Sequence, residues 1–292
     1  MNNSLGTVAF VGMGLIGGSL AMALGQSGLA ARIVAVDQSK AALAEALALG
    51  VIDEAVEIPA LAAADVIVLA TPVDALFAVC ADLAKVDLKP DVVITDVGST
   101  KGSVLDAMRA AFGDVPPWFV PAHPIAGREK SGVRAAEADL FAGRKVILTT
   151  LPETDNRALG IVSRLWHAAG ALTTYMSIDE HDEILGATSH LPHVLAYLLV
   201  DMLDQDLHHE AIFSYAAGGF RDFTRIASSS PVMWRDVCVH NADVLRDLLA
   251  QYRARIERFE ALLAAGDGAA IETVFARAKA ARDAHYDKEQ NI

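Results

Sequence analysis

The stretch from Val8 to Asp37 constrains this chain more than any other. Val8-Ala9-Phe10-Val11 runs straight into Gly12-Met13-Gly14-Leu15-Ile16-Gly17, and a second apolar run, Ile33-Val34-Ala35-Val36, ends at Asp37. The pattern predicts strand, glycine turn, helix and strand, so this GxGxxG stands in the setting that a dinucleotide fingerprint requires. Gly12 permits the tight turn, Gly14 lets the backbone approach a pyrophosphate, and Gly17 lets the helix sit close on the sheet. Together with Leu15 and Ile16 they open a helix whose N-terminus meets phosphate charge. Asp37 comes twenty residues after Gly17, where a carboxylate accepts hydrogen bonds from a ribose 2′-hydroxyl and repels a 2′-phosphate. NAD is therefore the expected cofactor, with NADP left open.

No charged residue precedes Arg32, and such a run also suits a signal peptide or membrane helix. The six glycines between Gly6 and Gly25 and the lack of a basic leading segment argue against both. The 292 residues suffice for two domains, and 53% hydrophobic with 21% charged residues is ordinary for a globular protein. A net charge of −13 opposes nonspecific binding to nucleic acid or anionic membrane. An anionic substrate must then be met by a local basic cluster. Cys80 and Cys238 are the only cysteines, too few for a disulfide framework and not spaced as a metal or redox motif. A reducing cytoplasm is the natural reading.

Further along, Lys40 to Leu49 reads as a helix, and Asp65 to Ala70 as a buried strand ending in Thr71-Pro72-Val73. Val92 to Val97 repeats that pattern and opens into Gly98-Ser99-Thr100-Lys101. Apolar runs at Trp118 to Pro121, Lys145 to Thr150 and Ala171 to Met176 alternate with helical segments such as Asn156 to Ala169. This alternation predicts an α/β Rossmann domain, a doubly wound and mostly parallel sheet with ligands beyond the strand C-termini. Loops at Thr71 to Asp74, Gly98 to Lys101 and His123 to Gly132 then share one edge, with Thr71 and Pro72 on the cofactor side.

From about Ser177 onward the strand signals stop. Helical periodicity runs through Glu180 to Asp204, Glu210 to Ile226, Pro231 to Ala265 and Ala269 to Tyr286. The expected organisation is a dinucleotide-binding domain over 1–176 and an all-α domain over 177–292, joined tightly near 175 to 180. Ser229 or Ser230 can cap the third helix, with Pro231 in its first turn and Gly266 at its end. Such a helix is about 50 Å long, more than one small domain covers. Its stripe of Leu245, Leu248, Tyr252, Ile256, Phe259 and Leu263 asks for a partner surface, supplied most simply by a second copy of the chain.

Among candidate catalytic residues, His123 follows a predicted strand on the ligand edge. A histidine there can act as a general base if no structural hydrogen bond locks it. Ser99 adds a hydroxyl able to bridge base and substrate, and Lys101 a cation. His181, Asp182, His190 and His193 crowd into thirteen residues. With no cysteine beside them and no HExxH, helix packing or an anionic pocket fits better than a metal site, and no metal is expected. Gly218-Gly219 leads into Arg221 and Arg225, either of which can hold a carboxylate in a bidentate fork.

Taken together, these blocks strongly resemble the prephenate/arogenate (cyclohexadienyl) dehydrogenases of tyrosine biosynthesis. The resemblance rests on Gly12 to Ser19, Asp96 to Lys101, His123-Pro124-Ile125-Ala126-Gly127-Arg128-Glu129-Lys130-Ser131-Gly132, Ser189-His190-Leu191-Pro192-His193, and Gly219 to Ala227 followed by Met233-Trp234-Arg235. It implies an N-terminal Rossmann domain, an all-helical dimerisation domain and a site in the cleft between them. By this resemblance, His123 takes the proton of the ring 4-hydroxyl while hydride leaves C4 for NAD⁺, and Ser99 holds hydroxyl and nicotinamide in register. Arg225 binds a substrate carboxylate, the ring carboxylate being favoured, with His190 and His193 lining the pocket. Asp182 matches an acidic position that orients this histidine region. The resemblance also leads one to expect neither a regulatory ACT domain nor a chorismate mutase module, and it leaves prephenate and arogenate equally open. The competing expectations are a β-hydroxyacid type dehydrogenase and a noncatalytic NAD-binding scaffold.

Overall fold

A computed structural model describes residues 4–128 and 130–286; Glu129, within the His123 block, lies outside them. Strands β1 (Thr7–Val11), β2 (Arg32–Val36), β3 (Glu54–Ala55), β4 (Val66–Leu69), β5 (Val93–Asp96) and β6 (Phe119–Val120) form one sheet in the order β3-β2-β1-β4-β5-β6. Every pairing in it is parallel. The chain steps outward from β1 to β2 and β3, then returns to the other side of β1 for β4. That reversal opens a crevice beyond the C-terminal ends of β1 and β4, where open α/β sheets bind ligands.

Successive side chains of a strand point to opposite faces, and the core follows that period. Val8 and Phe10 pack with Leu20 and Leu24 of α1 (Leu15–Ser27), whereas Ala9 and Val11 join the cluster on the other face. That second cluster includes Leu76 and Cys80 of α3 (Leu76–Leu83) and Leu105 and Met108 of α4 (Gly102–Phe112); α2 (Lys40–Ala48) follows β2. Helices on both faces explain why the strands are near-continuous apolar runs.

The runs at 145 and 171 do not extend this sheet. Lys145–Thr149 (β8) and Leu172–Met176 (β9) pair in parallel, and β8 pairs antiparallel with Ala122–Pro124 (β7), giving a second, three-stranded sheet. Pro121 separates β6 from β7. It has no N–H to offer a ladder, and the next amide, Ala122 N, donates to the Asp96 carboxylate at 3.1 Å rather than to a strand. Helix α5 (Asn156–Ala168), capped by Asp155, packs Trp166 edge-on to Phe141.

The helical part begins at Ser177, whose hydroxyl accepts from Glu180 N while the Glu180 carboxylate accepts from Ser177 N. This capping box starts α6 (Ile178–Leu185). The single helix expected over 180–204 is interrupted by a π turn, Gly186–His190, before α7 (Leu191–Asp204). Pro192 lacks the N–H that a continuous helix would send back to Thr188, and the chain widens by one turn there. After α8 (His209–Ser214) and α9 (Gly218–Thr224) comes a short turn, Arg225–Ser228.

The helix expected over 231–265 is two helices, α10 (Pro231–His240), capped by Ser230, and α11 (Ala242–Ala265). Asn241 breaks it by leaving helical geometry and spending its amide on buried acceptors. Gly266, at φ +65°, closes α11 as expected, and α12 (Gly268–Tyr286) follows. The chain divides into two compact units between Ala242 and Asp243. Within the second, Phe259 meets Phe275 at 5.7 Å, and Tyr252, Ile256 and Leu263 of the stripe are exposed. Among the described residues no helix is long and apolar enough to cross a membrane.

Candidate active site

The glycine turn has the required geometry. Gly12 lies at φ +99°, and a Cβ there would stand 2.5 Å from Ala70 O; one on Gly17 would stand 2.5 Å from Gly12 O. A Cβ on Gly14 would meet nothing within 4 Å, so that position faces open space. The N-terminus of α1 has neither a side-chain cap nor an acid in its first turn, leaving its amides and positive dipole end for an anion. Asp37 follows β2, and its carboxylate accepts from Met13 N and Ser39 N, both at 2.7 Å. Across the crevice, after β4, the buried Thr71 hydroxyl has no hydrogen-bond partner among the described residues, and Pro72 is exposed.

On the same edge, β5 ends at Asp96, which ties three segments together. Its carboxylate accepts from Gly98 N at 2.7 Å, from Ala122 N, and from the fully buried Lys101 Nζ at 2.5 Å. Lys101 Nζ also donates to Ala122 O at 2.7 Å. Burial lowers the Lys101 pKa while Asp96 opposes that shift. The pair thereby clamps the Ser99 loop to the strand carrying His123. Ser99 itself is half-buried between Gly98 and Thr100.

Partly exposed, His123 sits in β7 rather than just after a strand, opposite Ile147 of β8. Its Nδ1 lies 2.8 Å from His181 Nε2, and His181 Nδ1 lies 2.7 Å from Asp182 Oδ1. The two oxygens of Asp182 also accept from Lys101 N and Gly102 N, each at 2.8 Å. Asp182 therefore stands behind the histidines at the N-terminus of α4, and a Cβ on Gly102 would come within 3.2 Å of its carboxylate. His123 is held well below the ordinary histidine range, first by burial, then by the positive charge of Lys101 and of His181 and His190 when protonated. Burial lowers His181 likewise, despite its hydrogen bond to Asp182. Asp182 lies below the usual carboxylate range because His181 and the two backbone amides outweigh the effect of its burial.

The π turn presents His190, which is buried, with its pKa lowered to about 4 mainly by that burial. Its Nδ1 lies 3.0 Å from Asn241 Nδ2, and the same amide donates to Asp182 O at 2.9 Å. One turn on, His193 donates from Nδ1 to Ser189 O at 2.8 Å and stacks on Trp234 with ring centroids 3.6 Å apart. Its pKa is lowered by burial and further by the nearby Arg225 charge, which places Arg225 in electrostatic reach of the histidines. Arg221, one turn earlier on α9, is exposed. At neutral pH the site is thus a set of uncharged imidazoles with a cation beside it.

Comparison with known proteins separates this site from other dinucleotide folds. Residues 20–175 match the family described as "Prephenate dehydrogenase, nucleotide-binding domain", and residues 177–277 the family described as "Prephenate dehydrogenase, dimerization domain". The chain belongs to the prephenate dehydrogenase family. It is 37% identical over 289 residues to a prephenate dehydrogenase of Bacillus subtilis, covering 97% of this chain and 77% of that protein. It is 35% identical to a cyclohexadienyl dehydrogenase of Zymomonas mobilis, covering 94% of each. The crystal structure of Aquifex aeolicus prephenate dehydrogenase, in complex with hydroxyphenyl propionate and NAD⁺, superposes with a TM-score of 0.89 at 34% identity, covering 97% of this chain and 99% of that one.

Within this family frame the structure adds residues that sequence patterns alone left without a role. Asn241 lay inside the helix expected over 231–265, and Asp96 inside the strand and block running to Lys101, neither with a role assigned. Among the described residues no group of three His, Cys, Asp or Glu side chains is arranged to hold a metal. The histidine cluster spends its ring nitrogens on Asp182, Asn241 and Ser189 O instead.

Proposed function

We propose that the protein catalyses NAD-dependent oxidative decarboxylation of prephenate to 4-hydroxyphenylpyruvate, of arogenate to tyrosine, or of both, in tyrosine biosynthesis. The observation that carries this reading is His123, held below the ordinary histidine range on a strand that Asp96 and Lys101 tie to the end of β5 in the sheet bearing the open glycine turn, with His190, His193 and Arg225 close by. The crevice residues fit NAD. Gly12, Gly14, Leu15, Ile16 and Gly17 bring amides and free space to the pyrophosphate; Asp37 suits a ribose hydroxyl, and Thr71, Pro72 and Ser99 flank the nicotinamide side. When bound, NAD⁺ supplies the hydride acceptor.

His123 removes the proton of the substrate 4-hydroxyl, which raises electron density at the carbon that loses hydride. Ser99 holds that hydroxyl. Arg225 anchors a carboxylate, with Arg221 as a more distant cation, and His190 and His193 line the pocket. Loss of the ring carboxylate as CO₂ then makes the ring aromatic. The protein's work is to orient two reactants and exclude water. The functional division is drawn at 176/177, a reading supported by the family matches over residues 20–175 and 177–277. The helical part serves as a homodimer interface, a reading supported by its family description and by exposed apolar residues such as Leu198 and Met202. A cytoplasmic location is the reading that the two free cysteines, Cys80 and Cys238, support.

The test is initial-rate NADH formation with prephenate and, separately, arogenate, with CO₂ release followed in the same samples. Turnover with either substrate is expected, and silence on both in protein that binds NAD sinks the reading. In the same assay, His123→Asn is expected to lower kcat by roughly a hundredfold or more at unchanged NAD affinity. An unaltered kcat would remove His123 from the mechanism.

A further inference from the structure

Behind His123 lies a line of groups that the reaction as described does not use. We propose that Asp182, acting through His181, fixes His123 as the tautomer protonated on Nδ1, so that the lone pair of His123 Nε2 is the one offered to the substrate hydroxyl. His181 and Asp182 are thus positioning residues for the base, and the proposal deepens the dehydrogenase reading on which it rests.

The argument is one of donors and acceptors. An ionised carboxylate only accepts, and Asp182 is kept ionised by two backbone amides at the start of α4. His181 must therefore donate from Nδ1 to Asp182 Oδ1, across 2.7 Å. A neutral imidazole carries one N–H, so His181 Nε2 is then a bare acceptor. The only proton able to fill the 2.8 Å gap to His123 is the one on His123 Nδ1. Burial supports the neutral form: His181 is fully buried and held below the ordinary histidine range. His123 faces His181, Lys101 and His190; His181 faces Asp182, Lys101 and Asp96.

The line also joins the two halves of the reacting geometry. Asp182 grips Lys101 N and Gly102 N, one and two residues beyond Thr100, and so the same carboxylate that orients the base anchors the loop bearing Ser99. Proton uptake at His123 Nε2 makes an imidazolium whose Nδ1–H already points at His181. The charge is then met by the His181 ring dipole and, beyond it, by Asp182. Nothing has to reorient during the step.

Asp182→Asn replaces one acceptor oxygen with a donor. In the Oδ2 place that NH₂ meets Gly102 N–H, and in the Oδ1 place it meets Lys101 N–H and turns His181 to the opposite tautomer; in both, the carboxylate that holds Nδ1–H on His181, and through it on His123, is gone. The protein should be labelled with ¹⁵N-histidine, and ring tautomers read by long-range ¹H–¹⁵N correlation near pH 8, with His123→Asn used for assignment. The expected result is Nδ1–H on both His123 and His181 in the native chain, and loss of that state on His123 in Asp182→Asn. This readout needs no substrate, so it stands or falls separately from the dehydrogenase reading. Native His123 found as Nε2–H overturns the proposal.

Kinetics supply the second arm and cover the case in which Asp182→Asn folds poorly. His181→Leu is expected to lower kcat a hundredfold or more with little change in the NAD KM. His181→Gln, which keeps a donor and an acceptor about as far apart as the ring nitrogens, is expected to recover most of that loss. Equal kcat for the native, Leu and Gln chains, or equal loss in both variants, overturns the proposal.

Discussion

At the scale of single residues the site is decided by what burial does to titrating groups. His190 is the sharpest case, since it titrates at about 4 in the folded chain against 6.5 ordinarily. Between those values the unfolded chain binds a proton that the folded chain does not. The stability associated with a neutral His190 is therefore complete above pH 6.5 and is lost as pH falls toward 4. A shift of this size corresponds to roughly 3 kcal/mol. His190→Asn keeps an acceptor for Asn241 and removes the titration. Urea unfolding of both chains at pH 7.5 and 4.5 should show the native protein losing more stability than the variant by roughly 2 to 3 kcal/mol. Parallel losses would assign the acid sensitivity to other groups. Arg225 is a residue of a different kind, an exposed cation whose charge reaches His193. If it anchors a carboxylate, Arg225→Ala raises the KM for the substrate at least tenfold and leaves the NAD KM alone, whereas a structural arginine would leave both unchanged.

At the scale of elements, the β1, glycine turn and α1 unit carries a prediction that separates binding from folding. Gly14 and Gly17 belong to one motif, yet a methyl group on Gly14 enters open space whereas one on Gly17 strikes Gly12 O at 2.5 Å. Gly14→Ala should keep the melting temperature near that of the native chain and weaken NAD binding about tenfold, or about 1.4 kcal/mol, by filling the approach to the pyrophosphate. Gly17→Ala should instead lower the melting temperature, because backbone has to move. Titration calorimetry with thermal melts distinguishes the two, and identical profiles would mean that the turn acts only as a fold element. This unit was legible from sequence because strand, turn and helix signals are local and agree. The helix broken at Asn241 was not: its apolar spacing continues across the break, and the cause is a pair of buried acceptors more than fifty residues away in sequence. The π turn at Gly186–His190 was hidden in the same way, although Pro192 marked its place. Likewise, nothing local distinguishes β7 from the end of β6 except Pro121, and the contact between His123 and His181 spans 58 positions of sequence.

At the scale of the whole molecule, sequence motifs named the residue types of the candidate site, while tertiary contacts determined their connections. From sequence, Asp182 was a neighbour of His181 and, by resemblance, an acidic position that orients the histidine region. In the fold its oxygens are taken by Lys101 N, Gly102 N and His181, which makes it a support for the base. The same limit applies to assembly, because a stripe read from periodicity says that a surface is apolar and leaves open what meets it. On α11 the residues Tyr252, Ile256 and Leu263 are 41%, 46% and 58% exposed in the single chain. Fully burying an exposed Ile or Leu side chain is worth about 1.5 to 3 kcal/mol; these residues start about half covered, so each adds less, and a contact repeated by two-fold symmetry counts every residue twice. If the stripe is the homodimer surface, light scattering after size exclusion should give twice the chain mass. The pair Ile256→Glu and Leu263→Glu should then shift the protein toward the monomer at micromolar concentration. Both positions are exposed, so the folded chain should tolerate the charges, and circular dichroism would show unchanged helix content. A native protein that is already monomeric, or a double variant that remains a dimer, would place any self-association on another face, with the exposed Leu198 and Met202 of α7 the next to test.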